Sequence, residues 1–282
     1  MTIGAVIFAQ NNSKVDYVKL AVYAAERVKT YLNIPVTLIT DSVNWVTSAY
    51  PTHAFDTIID ISSDQSEQYR ILNDGAMAST KIIWKNSSRV NVYELSPYET
   101  TLVIDSDYII NSSILAMALE RDYDFQIYKK SMDISEWRTS TEFERVNSYS
   151  IPFYWATVFV FKKSPVMESF FDLLTYIRNN WEYYRVLYSI ESSLYRNDFA
   201  FSIAIHIMNG KMFSDFAVAL PGSMVFSTDT DILVSISGNK VQMLTQKPEY
   251  HGEYLLVKTS GMDVHIMNKM SLARFIDGGI GV

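Results

Sequence analysis

The amino-acid sequence predicts an α/β fold organised around a parallel sheet. Three observations lead there. A strand–helix–strand unit fills the first forty residues, apolar runs of strand length recur up to residue 107, and two of those runs end in aspartate, at Asp41 and Asp105. Parallel neighbours need a crossover of just this size, and such crossovers pack back onto the sheet with one hand. In sheets of this kind ligands gather beyond the carboxyl ends of the strands, where both aspartates fall.

The elements follow in order. Residues 3–9 read as a buried strand. From Val15 to Tyr31, residues Tyr17, Leu20, Ala21, Ala24, Val28 and Tyr31 recur at three- and four-residue steps, the period of an amphipathic helix. Pro35 precedes the strand Val36-Thr37-Leu38-Ile39, closed by Thr40-Asp41. Residues 43–54 are predicted to be loop, and Thr57 to Ile61 a short third strand. Residues 62–75 are polar and contain Arg70, and Ala76 to Trp84 is predicted to be a helix carrying Lys81 and Lys85. A break at 94–98 leads into the strand Thr101-Leu102-Val103-Ile104-Asp105. Beyond Asn111 come a short helix over 114–120, a strand over 124–128, and a polar insertion over 129–150. The second half of 151–161 is strongly strand-forming. Pro165 suits the first turn of a helix reaching about Asn179. A further helix spans 198–208, and strands span 212–220 and 232–236. No repeat or low-complexity linker divides the chain, so residues 1–282 are expected to form one domain.

Composition narrows the chemistry. With 48% hydrophobic and 20% charged residues the chain folds rather than staying disordered. Its 19 Tyr, 15 Phe and 5 Trp serve cores, interfaces or stacking on sugars and bases. A net charge of −7 argues against a broad nonspecific grip on nucleic acid. The absence of cysteine removes disulfides, thiolate metal sites and thiol catalysis. Only His53, His206, His251 and His265 are present, so a metal site would join one imidazole to carboxylates. The apolar start is short and lacks a basic leader, which makes it a first strand and not a signal peptide. No apolar run reaches the length of a membrane span. A soluble, cytoplasmic protein is expected, its oligomeric state open.

The segment Asp105-Ser106-Asp107 carries the first functional signal. Alternate side chains of an extended segment point the same way, so the two carboxylates aim at one point past the strand end. Divalent cations take such oxygen ligands and share them with phosphates. A solvated strand-to-loop turn would use the same residues. A second segment, Gly261 to Lys269, contains His265 and Lys269. Together the two segments suggest Asp105, Asp107 and His265 as ligands of a cation, with Lys269 reaching a diphosphate that the cation holds. Two carboxylates with one imidazole suit Mn²⁺, and pure oxygen coordination favours Mg²⁺.

On these residues the sequence resembles the nucleotide-sugar-dependent glycosyltransferases of GT-A fold, and is closest in layout to glycosyltransferase family 8. The resemblance spans nearly the whole chain: the first strand–helix–strand, Leu102 to Asp107, the strand Phe153 to Phe161, and His265 with Lys269. It implies a Rossmann-like, mixed but mainly parallel central sheet flanked by helices. It also implies a nucleotide-sugar-binding half over 1–110 and an acceptor half over 111–282 that ends in the metal and diphosphate segment. Asp105 and Asp107 would hold Mn²⁺ against the donor diphosphate with Ser106 between them, His265 would be the third ligand, and Lys269 the diphosphate contact. The chain departs from the family at Ile266-Met267-Asn268 and Met270, where an aromatic, a glycine and a proline are usual. Tyr154-Trp155-Ala156-Thr157 stands where an Asn-Ala-Gly strand meets the sugars, so Trp155 would reshape the sugar pocket. Asn197-Asp198 stands where an Asp-Gln pair lies near the reacting sugar. Asp198 would orient sugar hydroxyls there, or serve as an ordinary N-cap. Ala9, Gln10 and Asn11 follow the first strand as expected nucleotide contacts, Asp41 would meet the uracil or ribose, and Lys81 matches the basic residue that approaches the donor.

The implied reaction moves a sugar from a nucleoside diphosphate sugar, uridine-linked by analogy, to an acceptor hydroxyl with retention. The acceptor would be a saccharide or a modified base in DNA, with Lys129-Lys130, Arg138, Arg145 and Lys162-Lys163 as the cations that would line a duplex. An inactive sugar- or nucleotide-binding scaffold is the alternative. A nicotinamide-dependent oxidoreductase is disfavoured, because Ala9-Gln10-Asn11-Asn12 lacks the glycine-rich phosphate loop.

Overall fold

The computed structural model describes residues 2–62, 68–85, 87–135, 138, 144–212, 215–247, 249 and 251–278. The first unit is β1 (Ile3–Ala9), α1 (Tyr17–Leu32) and β2 (Val36–Thr40). Asp16 caps α1 by accepting from the Lys19 amide, and Val18, Leu20, Ala21, Ala24, Ala25 and Val28 form its buried stripe. A short helix α2 (Val43–Ala49) precedes β3 (Thr57–Asp60). It stands where loop is predicted, and only Val46 on it is buried, which leaves a weak apolar signal in the sequence.

The largest correction lies between residues 69 and 83. The predicted helix over 76–84 is instead the second arm of an antiparallel hairpin, β4 (Tyr69–Asp74) with β5 (Ala78–Ile83), in register from Tyr69↔Ile83 to Asp74↔Ala78. Gly75 turns between the arms with φ of 71°, a conformation costly for any residue with a Cβ. Ser79, Thr80 and β-branched Ile82 and Ile83 suit a pleated strand better than a helix. The hairpin is anchored to the C-terminal region: Arg274 makes a two-pronged contact with Asp74 at 2.7 and 2.8 Å, and Tyr254 Oη accepts from the Ala76 amide at 2.7 Å.

A 3₁₀ turn over Ser87–Asn91 and the short α3 (Val92–Leu95) lead into β6 (Thr100–Asp105) and, after two residues, β7 (Tyr108–Ile109). Then come α4 (Ala116–Glu120), β8 (Phe125–Tyr128), β9 (Ser131–Asp133), β10 (Trp155–Lys162), α5 (Pro165–Asn179), α6 (Trp181–Leu187) and α7 (Asn197–Met208). The chain continues through β11 (Val218–Ala219), β12 (Met224–Ser227), β13 (Ile232–Ser237), β14 (Lys240–Gln246), β15 (Tyr254–Ser260), β16 (Val264–Ile266) and α8 (Lys269–Ile276). The strand predicted over 212–220 is reduced to Val218–Ala219, and residues 213–214 lie outside the described residues. Phe216 instead packs on Phe125 and Phe170, with ring centroids 5.9 and 5.1 Å apart.

The central sheet runs β11-β8-β10-β6-β1-β2-β3. Strands β6, β1, β2 and β3 are parallel, and β10 is antiparallel to both neighbours. This is the mixed, mainly parallel, helix-flanked sheet that the resemblance implies. Much of the Phe content is spent inside, where Phe125, Phe159, Phe170 and Phe201 meet at 4.9–6.4 Å. A second sheet, β7-β16-β12-β9, joins the segment after β6 to the last strand among the described residues, and a three-stranded meander β13-β14-β15 packs beside it. Arg138 clamps this region internally, forking onto Asp133 and onto Asp231, whose carboxylate is fully buried.

Candidate active site

The cleft opens beyond the carboxyl ends of β1 and β6. Asp105 is the last residue of β6, level with Phe8 of β1. Ser106 and Asp107 make the turn into β7. There Tyr108 pairs with His265 of β16, and the Ile266 amide donates to the Asp107 carbonyl at 2.9 Å. Strand pairing therefore sets His265 beside Asp107, although the two are far apart in the chain. One ligand atom each from Asp105, Asp107 and His265 lies within 4.8 Å of the others, the one such group of acidic, His or Cys side chains among the described residues. His53, His206 and His251 take no part in it, as the sequence suggests.

Two cations face the carboxylates. Lys269 Nζ stands 2.6 Å from Asp107 Oδ2, and His265 Nε2 is 3.3 Å from the same oxygen. Arg89, which is buried, contacts Asp105 and donates to the Ala156 carbonyl at 2.6 Å. Burial alone would raise Asp107, but the charges of Lys269 and His265 outweigh it and hold its carboxyl well below the usual range. Burial lowers the Arg89 guanidinium to about 10 against the pull of Asp198 and Asp107. Lys269 opens α8, and Asn268 caps that helix by accepting from the Ser271 amide at 2.9 Å. The cap fixes the turn without the family's glycine and proline.

Trp155 forms the wall behind the imidazole. It is 1% exposed, lines the cleft, and meets His265 edge-on with centroids 6.4 Å apart. Asp198 is the second residue of α7 and not its cap, since Arg196 holds that position. Its carboxylate accepts from the Ala156 amide at 3.0 Å and from Arg196 at 2.8 Å, so it spans the start of β10 and the mouth of α7.

The other expected contacts divide. Gln10 and Ser106 line the cleft, both nearly buried. Ala9 is buried in β1, and the Asn11 side chain is engaged with Asp16 and the Val18 amide; neither lines the cleft. Asp41 sits just past β2, with Lys85 at 2.7 Å and the Ser42 hydroxyl at 2.9 Å. Lys81 is exposed on β5 over the Tyr69 ring and does not line the cleft; Lys85 and Arg89 are the basic residues that do, from this stretch of chain. Arg70, the less well placed of the two basic residues that the sequence offers for the donor, lines it; Arg89, Arg196 and Tyr17 also line it and carry no signal in the spacing of the sequence. Their placement depends on the hairpin and on side chains reaching between elements.

The cations suggested for a duplex are dispersed or occupied. Arg138 is internal, Arg145 bonds the Ser150 carbonyl, Lys162 pairs with Asp122 at 2.7 Å, and Lys163 bonds the Ser96 carbonyl. Among the described residues no helix is long and apolar enough to cross a membrane.

No family model matches the chain, and no curated protein sequence matches it. Solved structures do show similarity. The glycosyltransferase GlyE of Streptococcus pneumoniae TIGR4 aligns at 12% identity and a TM-score of 0.44, over 78% of this chain and 46% of its own. The galactosyltransferase LgtC, solved with donor and acceptor sugar analogues, aligns at 13% identity and a TM-score of 0.44, over 78% and 73%. The bifunctional IspDF of Campylobacter jejuni aligns at 14% identity and a TM-score of 0.41, over 79% and 50%. The match thus spans less than half the length of GlyE. At these identities and TM-scores, the chemistry of the cleft has to be read from its own residues.

Proposed function

We propose that this protein transfers a sugar from a nucleoside diphosphate sugar to an acceptor hydroxyl, with a divalent cation as cofactor. One observation carries the reading: Asp105, Asp107 and His265 converge at the end of a parallel sheet, with Arg89 and Lys269 directly behind the two carboxylates. Two oxygen donors and one imidazole fit Mn²⁺, and Mg²⁺ less well because of the nitrogen. A cation held there supplies positive charge for the departing diphosphate.

The protein's own groups do the rest. Asp105, Asp107 and His265 would hold the ion, and Arg89 and Lys269, which pair with those carboxylates, would meet the negative charge of a diphosphate. Asp198 also lines the cleft, and its carboxylate is the group assigned to orient sugar hydroxyls. Trp155 holds the imidazole and keeps water from that wall. The reading includes a uridine-linked donor and retention of configuration, both on the strength of the family resemblance. The acceptor is taken to be a saccharide, because the acidic chain and its dispersed cations offer a duplex backbone little.

A panel of nucleoside diphosphate sugars with Mn²⁺, read by mass detection of released sugar, tests the proposal. Wild type is expected to turn over one donor, and Asp107→Ala none. Failure of every donor to bind or react in a Mn²⁺-dependent way would overturn it.

A further inference from the structure

A second hollow, of about 540 Å³, lies at the far end of α7. Its volume falls in the range of small-molecule sites. Tyr154 forms one wall, and the neighbouring residue, Trp155, lines the cleft. Along α7, Asp198 lies at the cleft and Asn209 at the hollow, so about 16 Å of helix separates them.

The lining combines features that few ligand classes want together. Tyr149 is fully exposed and Tyr154 is 7% exposed; both line the hollow, with Lys129 Nζ 5.9 Å from the Tyr154 ring centroid. Lys211 and Asp215, both exposed, bring charges of opposite sign, and Asn209 adds an amide. An apolar ligand would leave these polar groups unpaired. Lys129 and Lys211 are interrupted by Asp215, so the lining is mixed in sign and gives a phosphate backbone no uniformly basic track. A pyranose has an apolar C–H face for an aromatic ring and a rim of hydroxyls that both donate and accept.

We propose that this hollow is a second carbohydrate-binding site, which holds a neutral stretch of the acceptor glycan remote from the point of transfer. It deepens, and rests on, the reading of the protein as a sugar transferase with a saccharide acceptor. The site lies apart from the metal residues, so its occupancy needs neither donor nor cation.

The test is an array of neutral oligosaccharides probed with labelled protein in the absence of donor and metal, followed by saturation-transfer NMR on the strongest hit. Binding is expected, and is expected to fall at least tenfold in the double variant Tyr149→Ala/Asp215→Ala, whose side chains are exposed and whose thermal midpoint should match wild type. Mn²⁺-dependent donor hydrolysis should be unchanged in that variant. Asp107→Ala should keep oligosaccharide binding while losing turnover, which separates the two readings. Absence of binding across the array, or binding indifferent to Tyr149→Ala/Asp215→Ala, overturns the proposal. So does binding of a fluorescent duplex in place of sugars that is lost in Lys129→Ala/Lys211→Ala.

Discussion

Lys269 Nζ lies 2.6 Å from Asp107 Oδ2, so the first residue of the last helix neutralises the second carboxylate of the Asp105-Ser106-Asp107 turn. The buried carboxylate thus has a positive partner before any cation arrives, and the lysine is already aimed where a diphosphate would lie.

Cation binding should therefore be measurable as stability. A ligand that binds only the folded state at about 100 times its dissociation constant adds ~2.7 kcal/mol. Mn²⁺ is expected to raise the thermal midpoint of wild type and to leave Asp107→Ala and His265→Ala unmoved. A rise of equal size in those variants would place the ion elsewhere.

Arg89 competes with the cation for Asp105. Arg89→Gln is expected to bind Mn²⁺ about tenfold more tightly without donor, equivalent to ~1.4 kcal/mol, yet to bind the donor more weakly. Titration calorimetry of both ligands checks the opposed signs. Unchanged or weakened Mn²⁺ affinity would show that the guanidinium does not restrain the carboxylate.

Trp155 is a structural wall as well as part of the cleft. Trp155→Ala should cost ~3–5 kcal/mol, the usual range for deleting a buried aromatic, and Trp155→Phe much less. Urea unfolding gives the stability, and Mn²⁺ affinity should fall in parallel as His265 loses its support.

Asp263 predicts a pH dependence of stability. Burial pushes its carboxyl up to about 6, against hydrogen bonds from the Asn111 amide and Ser112 and the charge of Arg27. The folded state thus keeps a proton that the unfolded chain releases near pH 4. Stability contributed by that proton should fall as pH rises from about 4 to about 6, then level off. Urea midpoints across this window should show the slope in wild type and lose it in Asp263→Asn. A slope that persists in the variant would assign it to another group.

The contact between Asp74 and Arg274 ties the hairpin to α8 at a half-exposed site. Exposed ion pairs contribute little to global stability, about 0–1 kcal/mol. Arg274→Ala should therefore barely move the thermal midpoint but should speed proteolysis between residues 69 and 83. Equal protease resistance would mean that Tyr254 and the Asn73–Asp229 contact hold the hairpin alone.

What could be read beforehand follows physical lines. The parallel strands were legible because burial on both faces writes them as continuous apolar runs, as in Ala5 to Ile7 and Leu102 to Ile104. Asp105, Asp107, His265 and Lys269 were legible as two short segments whose chemistry matches. Arg89 and Arg196 were not: Arg89 acts through a side chain crossing to Asp105 on β6, and Arg196 is an isolated cation whose pairing with Asp198 shows only once α7 is formed. Lys81 misled because its stretch was read as a helix, in which it would share a face with Lys85; in the hairpin it lies out over Tyr69. Of the meander only the strand over 232–236 is legible; β14 and β15 are not, although Val241, Met243 and Thr245 alternate inward, because polar neighbours dilute so short a signal.

The pairing of β16 with β7 also bears on how the protein is made. Chains emerge from the ribosome N-terminus first, and domains fold as they emerge. Asp105 and Asp107 are synthesised early, but the imidazole and ammonium that complete their centre come only with residues 265–269 and the docking of β16. A chain still in synthesis therefore presents two aspartates and no assembled centre. Under the proposed function, neither a cation nor a nucleotide sugar would meet a complete site until β16 has docked, so reactivity would arrive late in folding.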